Sequence, residues 1–221
     1  TLIRAWQNIP VVSFLLLRGR CASCQTKISW RYPLVELFTG ILTVAVAFHF
    51  GWGWPVLAAF ILTWTLIAAS GIDYDHQLLP DHLTLPLMWL GLLLSLFHQH
   101  FDATPLFPTP TDAILGAALG YAILRGIYQL FKWVTGKEGM GFGDFKLLAA
   151  LGAWFGWQYL LLIIMLSAGV GAIIGLALIW FTKHGREKPI PFGPFLAAAG
   201  WLALLWGPEV VAYYAHHVFS Y

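Results

Sequence analysis

The sequence predicts an all-α polytopic membrane protein with about seven transmembrane helices and a small N-terminal cytoplasmic segment. Hydrophobic residues make up 59% of the 221 residues and charged residues only 10%, and the mean hydropathy is +0.74. Soluble domains are roughly half apolar and a quarter charged. After residue 33, apolar stretches recur that suit a hydrocarbon layer of about 30 Å. The lipid bilayer is therefore the expected solvent for most of the chain.

The first 32 residues differ in composition from the rest. Five basic residues lie around a single Cys-x-x-Cys pair: Arg4, Arg18, Arg20, Lys27 and Arg31, with Cys21 and Cys24 between them. We expect residues 1–32 to form a cytoplasmic segment that does not span the membrane. Residues 33–221 are then the predicted transmembrane domain. No cleavable signal peptide is visible.

Seven apolar segments make up the predicted transmembrane domain. The fifth is short for a full crossing of about 30 Å. Trp and Tyr number 12 and 8, and several lie near segment ends, where amphipathic rings prefer to sit. The segments cover residues 33–50, 55–72, 83–97, 113–134, 145–155, 159–182 and 191–206.

Basic residues alternate between the loops that join these segments. The loops at 49–54, 98–110 and 156–158 contain no Lys or Arg, whereas the loop at 183–188 contains three. Lys132, Lys137 and Lys146 surround the turn before the fifth segment. The positive-inside rule therefore predicts that the N-terminal segment and these basic regions face the cytoplasm. Counting crossings also places the turn at 72–82 inside and the C-terminus outside.

Acidic residues beside the apolar segments fall into two clusters. The first is Asp73, Asp75 and Asp81, between the second and third segments. The second is Asp144, which ends the run Gly-Met-Gly-Phe-Gly-Asp at 139–144. A carboxylate near hydrocarbon costs several kcal/mol unless it is hydrated or paired, so these residues are candidates for function. Both clusters are expected at cytoplasmic helix ends, where Asp73 and Asp144 can meet.

Two carboxyl groups that share one site can act as an acid and a base. Both do not ionise readily, so one keeps a proton while the other, ionised, activates water. Two such groups suffice to hydrolyse a peptide without a metal, and Asp73 and Asp144, which lie closest to apolar sequence, are the candidates for a functional pair. Gly141 and Gly143 permit close backbone approach, so we expect a substrate strand to bind beside Asp144.

The remaining polar residues near the clusters have simpler interpretations. The preferred interpretation of Asp75 and Asp81 is that they are hydrated interfacial carboxylates or helix caps, since Asp is a preferred N-cap. A role in substrate binding is their functional alternative. His76 and His82 could ligate a metal, but solvated histidines are expected at this position. A net charge of +2 gives no electrostatic support for a nucleic-acid partner.

Cys21 and Cys24 can supply half of a tetrahedral zinc site, and the other half is not in this sequence. A redox pair is the alternative, although the βαβ pattern expected around such a motif is absent. A structural disulfide is not expected on the reducing side of the membrane.

Six motifs in order make the chain resemble the type IV prepilin peptidases, or leader peptidases, of bacterial pilus and type II secretion systems. The resemblance covers nearly the whole length. The motifs are QNIP at 7–10, RGRCASC at 18–24, YPLVE at 32–36, DYDHQLLPD at 73–81, GKEGMGFGDFKL at 136–147 and PIPFGP at 189–194.

The resemblance implies a catalytic dyad of Asp73 and Asp144 in a multi-pass protein of the bacterial inner membrane, surrounded by lipid. It implies prepilin and pseudopilin substrates with a short basic leader that ends in Gly. A hydrophobic helix follows the leader and carries Glu near its new N-terminus. Many members then methylate the new terminal amine with S-adenosylmethionine, whereas proteolysis needs no cofactor.

The chain departs from the family pattern at its start. Members usually have a transmembrane helix before the cytoplasmic domain, and bifunctional members carry two Cys-x-x-Cys pairs. This sequence has one pair, Cys21 and Cys24, so we expect that an N-terminal piece is missing.

Three other classes of protein remain as alternatives from the sequence. A transporter or channel could use intramembrane carboxylates to bind protons or cations, although the two clusters are expected at one face rather than the midplane. A zinc metalloprotease is disfavoured because no His-Glu-x-x-His occurs. A structural pilus-assembly subunit would not depend on the two aspartates.

Overall fold

The computed structural model describes residues 4–98, 107–182 and 190–219, and within these ranges the chain is helical. The α-helices are α1 (Val12–Leu16), α2 (Arg31–Phe50), α3 (Trp54–His76), α4 (Asp81–Ser95), α5 (Pro110–Thr135), α6 (Phe142–Phe155), α7 (Leu160–Thr182) and α8 (Gly193–Phe219). Short 3-10 helices cover Ala5–Asn8 and Trp157–Tyr159. The prediction of an all-α polytopic membrane protein is confirmed.

Five helices of the described ranges are long and apolar enough to cross a membrane: α2, α3, α5, α7 and α8. The other two long segments, α4 and α6, have 15 and 14 residues. At 1.5 Å per residue, α6 extends only about 21 Å. Each predicted apolar segment thus corresponds to a helix, and the count of seven crossings stays a prediction. The basic loop at 183–188, which supported the predicted orientation, lies outside the described residues.

Helix boundaries differ from the predicted segments at three places, and two of these hold the aspartates. Helix α3 continues to His76, so Asp73 lies within its last turn rather than after it. Helix α6 begins at Phe142, which places Asp144 in its first turn. Helix α8 continues past residue 206 through Pro208. At the end of α3 and the start of α6, polar residues and glycines interrupt the apolar pattern, so the pattern does not cover these turns. In α8, a proline is tolerated within a membrane helix when its freed carbonyl finds other partners.

The chain divides into two compact units, Thr1–Phe60 and Ile61–Tyr221. In the first unit, the backbone N–H of Val11 donates to the carboxylate of Glu36 in α2 at 2.7 Å. The Phe14 ring packs edge-on against Trp30, with centroids 4.7 Å apart. An isolated bridge between Arg20 and Lys27 closes the cysteine loop. The predicted division at residues 32 and 33, drawn from composition, stays a prediction.

In the second unit, α6 is the central helix. Nearly every residue from Asp144 to Phe155 is buried, and α6 contacts α4, α5, α7 and α8. The indole N–H of Trp154 donates to the backbone carbonyl of Leu87 in α4 at 2.8 Å. Helix α6 therefore fixes the positions of the helices around it.

Small residues allow α5 to lie directly against α6. Gly116 of α5 contacts the backbone of Gly152, and a Cβ added at Gly120 would lie 2.7 Å from the Leu148 carbonyl oxygen. Close packing of this kind is a main source of association between membrane helices, since lipid removes the usual hydrophobic driving force. The α5–α6 contact therefore depends on the absence of side chains at these positions.

Substitution of Gly120 by alanine tests this close contact. We expect Gly120→Ala to lower the unfolding free energy by about 1–3 kcal/mol, the usual cost of overpacking. The matched control is Gly126→Ala in the same helix, where an added Cβ meets no atom within 4 Å and where alanine is a better helix former. Unfolding in detergent followed by circular dichroism would measure both. Equal stability of the two variants would contradict the packing described.

Candidate active site

Asp73 lies at the end of α3, where the chain turns towards α4. The N–H of Gln77 donates to the Asp73 carbonyl at 2.8 Å and closes the last turn. Gln77 itself has φ +52°, which ends the helix. The Asp73 side chain is 6% exposed, and its Oδ2 accepts a hydrogen bond of 2.9 Å from the N–H of Gly193. Gly193 is the first residue of α8, so the Asp73 carboxyl lies at the N-terminal end of that helix and accepts a hydrogen bond from it.

Asp144 lies in the first turn of α6 and is 5% exposed. Its Oδ2 accepts a hydrogen bond of 3.3 Å from the N–H of Gly141, the N-cap residue. A carboxylate at the third helical position commonly reaches back to the N-cap amide in this way. The local sequence thus holds Asp144 at the helix start.

Leu79 packs between the segments that hold the two aspartates. A Cβ added at Gly143 would lie 2.5 Å from the Leu79 Cβ, and one added at Gly193 would lie 3.1 Å from the Leu79 Cδ1. The same position at Gly193 lies 2.6 Å from the Asp73 Oδ2. Both glycines therefore face Leu79, and neither position has room for a side chain. The end of α3 and the starts of α6 and α8 meet at this residue.

The two carboxyl groups form one electrostatic site. The charge of Asp73 acts on Asp144, and within the part of the chain that the structure describes neither carboxylate forms an ion pair. Each carboxyl accepts one backbone N–H at its Oδ2, and the described residues donate no hydrogen bond to either Oδ1. Two buried carboxyls without a neutralising cation do not both ionise readily, so the pair is expected to share a proton. Such a pair can act as an acid and a base.

Two family models match the chain. The model of the type IV leader peptidase family matches residues 60–176, more than half of the chain. The chain belongs to the type IV leader peptidase family. The model of the bacterial Peptidase A24 N-terminal domain matches residues 1–50. Both parts of the described structure are therefore recognised as parts of leader peptidases.

Curated relatives named prepilin leader peptidase/N-methyltransferase are similar to nearly the whole chain. One from Stutzerimonas stutzeri is 56% identical, and the match covers 96% of this chain and 71% of the relative. Relatives from Aeromonas hydrophila and Pseudomonas aeruginosa are each 55% identical, again over 96% of this chain and 71% of the relative. No solved structure matches the chain.

The other residues predicted for the leader peptidase site lie in different surroundings. Gly143 packs against Leu79, whereas Gly141 is exposed and its N–H is bound to Asp144. Asp75 is exposed. The Asp81 side chain is 58% exposed and forms an ion pair with Lys146 of α6. The substrate-binding role of these four residues stays a prediction.

Leu79 and Gly193 have no role predicted from the sequence, and Lys146 is predicted only to mark the cytoplasmic side, although all three lie in motifs that carry the resemblance. Leu79 is an ordinary apolar residue by pattern, and its role follows only from the meeting of three helix ends. For Gly193 a signal was present, because Gly before Pro at the start of an apolar segment is typical of a helix start. A backbone donor there can hold a carboxylate.

The Cys-x-x-Cys loop of the first unit provides two free thiols. The hydroxyls of Ser23 and Thr26 lie 3.4 and 3.3 Å from the sulfurs of Cys21 and Cys24. Among the described residues, no group of three or more Cys, His, Asp or Glu side chains could hold a metal ion. The donor set of these residues therefore does not complete the four ligands of a structural zinc site.

The Cys24 backbone N–H is the main cause that lowers the pKa of the Cys21 thiol to about 6, with the Ser23 hydroxyl adding to it. Hydrogen bonds to a thiolate favour the ionised form. Above this pH Cys21 is therefore largely a thiolate.

Substitution of Gly143 by alanine tests the contact with Leu79. We expect Gly143→Ala to lower the melting temperature, because overpacking costs about 1–3 kcal/mol and outweighs the gain in helix propensity. The matched control is Gly141→Ala, whose added Cβ would have only the Asp144 Oδ2, at 3.7 Å, and the Gly143 nitrogen, at 4.0 Å, as neighbours. A double-mutant cycle with Leu79→Ala should show coupling between positions 79 and 143. Additive effects would mean that the two residues do not touch.

Alkylation of Cys21 tests the hydrogen bonds in the cysteine loop. In a Cys24→Ser variant, which keeps the backbone N–H at position 24, we expect the iodoacetamide rate to reach half its maximum near pH 6. The thiolate is the reacting form, so the rate rises with pH through the thiol pKa. The reciprocal Cys21→Ser variant reports on Cys24 for comparison. A midpoint near the ordinary thiol value of about 8.5 for Cys21 would contradict this arrangement.

Proposed function

We propose that this protein cleaves the leader peptide of type IV prepilins and type II secretion pseudopilins, with Asp73 and Asp144 as the catalytic dyad. The reaction takes place near the cytoplasmic face of the bacterial inner membrane. One observation carries the proposal: two buried carboxyl groups interact, without a described cation beside them, in a chain of the leader peptidase family. Buried carboxyls of this kind are expensive near lipid and are expected where function requires them.

The proposed reaction is general acid and base hydrolysis. The protonated carboxyl donates a hydrogen bond to the scissile carbonyl oxygen, and the ionised carboxylate takes a proton from water as the water oxygen attacks the carbonyl carbon. The tetrahedral intermediate then collapses, and a proton passes from a carboxyl to the leaving amine nitrogen. The C–N bond breaks, one water is consumed, and the dyad returns to its shared single proton.

The backbone amides of Gly141 and Gly193 support this chemistry by holding one oxygen of each carboxyl. Each accepts its hydrogen bond at Oδ2, which leaves Oδ1 of each carboxyl for water and substrate. Fixing the carboxylates beforehand lowers the cost of orienting them during the reaction. Gly141 and Gly193 are therefore proposed as positioning residues through their backbones.

The basic leader is proposed to remain on the cytoplasmic side, near Asp75 and Asp81, with Gly141 and Gly143 beside the scissile strand. Asp81 already pairs with Lys146. Glu138 is also engaged, because the Lys132 ammonium donates a hydrogen bond to its carboxylate. This hydrogen bond lowers the pKa of the Glu138 carboxyl. Asp75 is exposed as well. The exposed carboxylates of Asp75 and Asp81 are therefore the groups proposed to contact the leader.

Methylation of the new N-terminus is part of the proposed function, because the relatives are named both leader peptidase and N-methyltransferase. S-adenosylmethionine is the proposed methyl donor, and it would supply an electrophilic methyl group to the terminal amine. The part of the chain that matches the N-terminal domain is residues 1–50. The hydrogen bonds between the hydroxyls of Ser23 and Thr26 and the sulfurs of Cys21 and Cys24 are proposed to stabilise the loop of this domain.

Replacement of each aspartate by asparagine tests the dyad. We expect Asp73→Asn and Asp144→Asn each to lower kcat for prepilin cleavage by about 10²–10⁴-fold, because each removes either the acid or the base. Purified full-length variants in detergent, with products followed by mass spectrometry, would give the rates. The matched control is Asp112→Asn, which makes the same chemical change in a residue bound to Trp157 and Gln158. Substantial cleavage by either dyad variant would reject the assignment.

A further inference from the structure

The connection between α3 and α4 crosses the start of α6. Helix α3 ends at His76 and α4 begins at Asp81, so residues 77–80 form this α3–α4 connection. Pro80 has an extended backbone, with φ −68° and ψ 137°. Side chains two positions apart along an extended backbone point to the same side. Those of Leu79 and Asp81 both reach α6.

Two positions on one face of α6 receive these side chains. Gly143 and Lys146 are three residues apart in the helix and are therefore neighbours on its surface. A Cβ added at Gly143 would lie 2.5 Å from the Leu79 Cβ. The Lys146 ammonium forms an ion pair with the Asp81 carboxylate. The α3–α4 connection and the start of α4 are thus attached to α6 by one apolar contact and one charged contact.

Leu79 contacts the helix starts that hold both catalytic carboxyls. Asp144 directly follows Gly143, so it belongs to the helical turn that Leu79 covers. Leu79 also meets Gly193, and the Gly193 N–H donates to Asp73. A shift of Leu79 would therefore loosen the packing beside both carboxyls.

The Asp81–Lys146 ion pair supplies direction rather than stability. The two side chains are 58% and 28% exposed, and exposed ion pairs add little to the free energy of unfolding. The ammonium also donates a hydrogen bond to the Asp81 Oδ1, and a charge-assisted hydrogen bond has a preferred geometry. The apolar contact of Leu79 has none. Since a displacement of about 1 Å can lower a rate by about 10²-fold, such a contact affects catalysis more than folding.

We propose that Asp81 and Lys146 are positioning residues for the cleavage reaction. Their ion pair holds the α3–α4 connection so that Leu79 keeps the starts of α6 and α8 in place around the dyad. This inference rests on the proposed function. The effect of the pair reaches the carboxyls through Leu79, so it acts on kcat. The contact of Asp81 with the leader, proposed above, would add an effect on KM.

Neutral substitutions in the full chain test the ion pair. We expect Asp81→Asn and Lys146→Met each to lower kcat for prepilin cleavage at least about 10-fold, with a shift in melting temperature below about 4 °C. The double variant should resemble the single variants, because no pair is left for the second substitution to break. An unchanged kcat in either single variant, losses that multiply in the double variant, or a larger fall in melting temperature would each overturn the proposal.

A conservative variant and a matched control separate the ion pair from a general effect of lost lysine. Lys146→Arg should keep kcat within about 3-fold of wild type, because a guanidinium also pairs with a carboxylate. Lys132→Met should keep the wild-type kcat, since Lys132 pairs with Glu138. A loss in either variant as large as the loss in Lys146→Met would contradict the proposed role.

Two synthetic prepilin peptides separate positioning from contact with the leader. One carries a basic leader, and in the other every Lys and Arg of the leader is replaced by Gln. The fall in kcat of Asp81→Asn should be the same on both peptides, because a misplaced dyad slows the reaction of any bound substrate. A defect confined to KM and to the basic leader would assign Asp81 to the leader alone and overturn the positioning role.

Hydrogen exchange of the Gly193 amide tests the path through Leu79 without any substrate. In Lys146→Met this amide should exchange at least about 10-fold faster than in wild type, because its hydrogen bond to Asp73 opens more often. Mass spectrometry of a peptide spanning residues 190–196 would measure it, with Lys132→Met as the control. Wild-type exchange in Lys146→Met would reject this path. Cleavage by Asp73→Asn would instead reject the proposed function, so the two failures differ.

Discussion

The burial of two carboxyl groups that interact electrostatically is the constraint on which the second unit depends. Each would be unstable in lipid by itself, and the described structure supplies no lysine or arginine to neutralise them. It supplies instead one backbone N–H from each of two helix starts, Gly141 before α6 and Gly193 in α8. The end of α3 and the starts of α6 and α8 are thus placed so that the two carboxyl groups are buried and receive these hydrogen bonds. Leu79 and the glycines that face it fill the remaining space without adding a polar group.

Much of the architecture could be predicted from the sequence, because membrane helices depend on long apolar stretches. The positions of α2, α3, α5 and α7 follow from hydropathy to within a few residues. The ends that carry function were less predictable. Asp73, Tyr74 and Asp75 are polar, so an apolar pattern ends before them, although backbone hydrogen bonding continues to His76. For the same reason, the predicted start of α6 lies after Asp144.

The chemistry of the site was predictable in part. Acidic residues are rare near the apolar segments, so Asp73 and Asp144 could be selected as a pair from the sequence. Their partners could not, because Gly193 lies 120 residues from Asp73 and donates through its backbone. Sequence alone also left a transporter open, since intramembrane carboxylates serve proton and ion pathways too. The family match favours the peptidase, and the placement of both carboxyls at helix ends agrees with it.

The shortness of α6 has a consequence for the supply of one reactant. Hydrolysis consumes water, yet Asp73 and Asp144 are buried in a chain with helices apolar enough to cross a membrane. A central helix of 14 residues covers only about 21 Å of a hydrocarbon layer of about 30 Å. Either the layer is locally thinner around α6 or one end of this helix is recessed below the lipid headgroups. A thinner layer, or a recess at the first turn of α6, brings bulk solvent down to the level of Asp144 and shortens the path that water must travel.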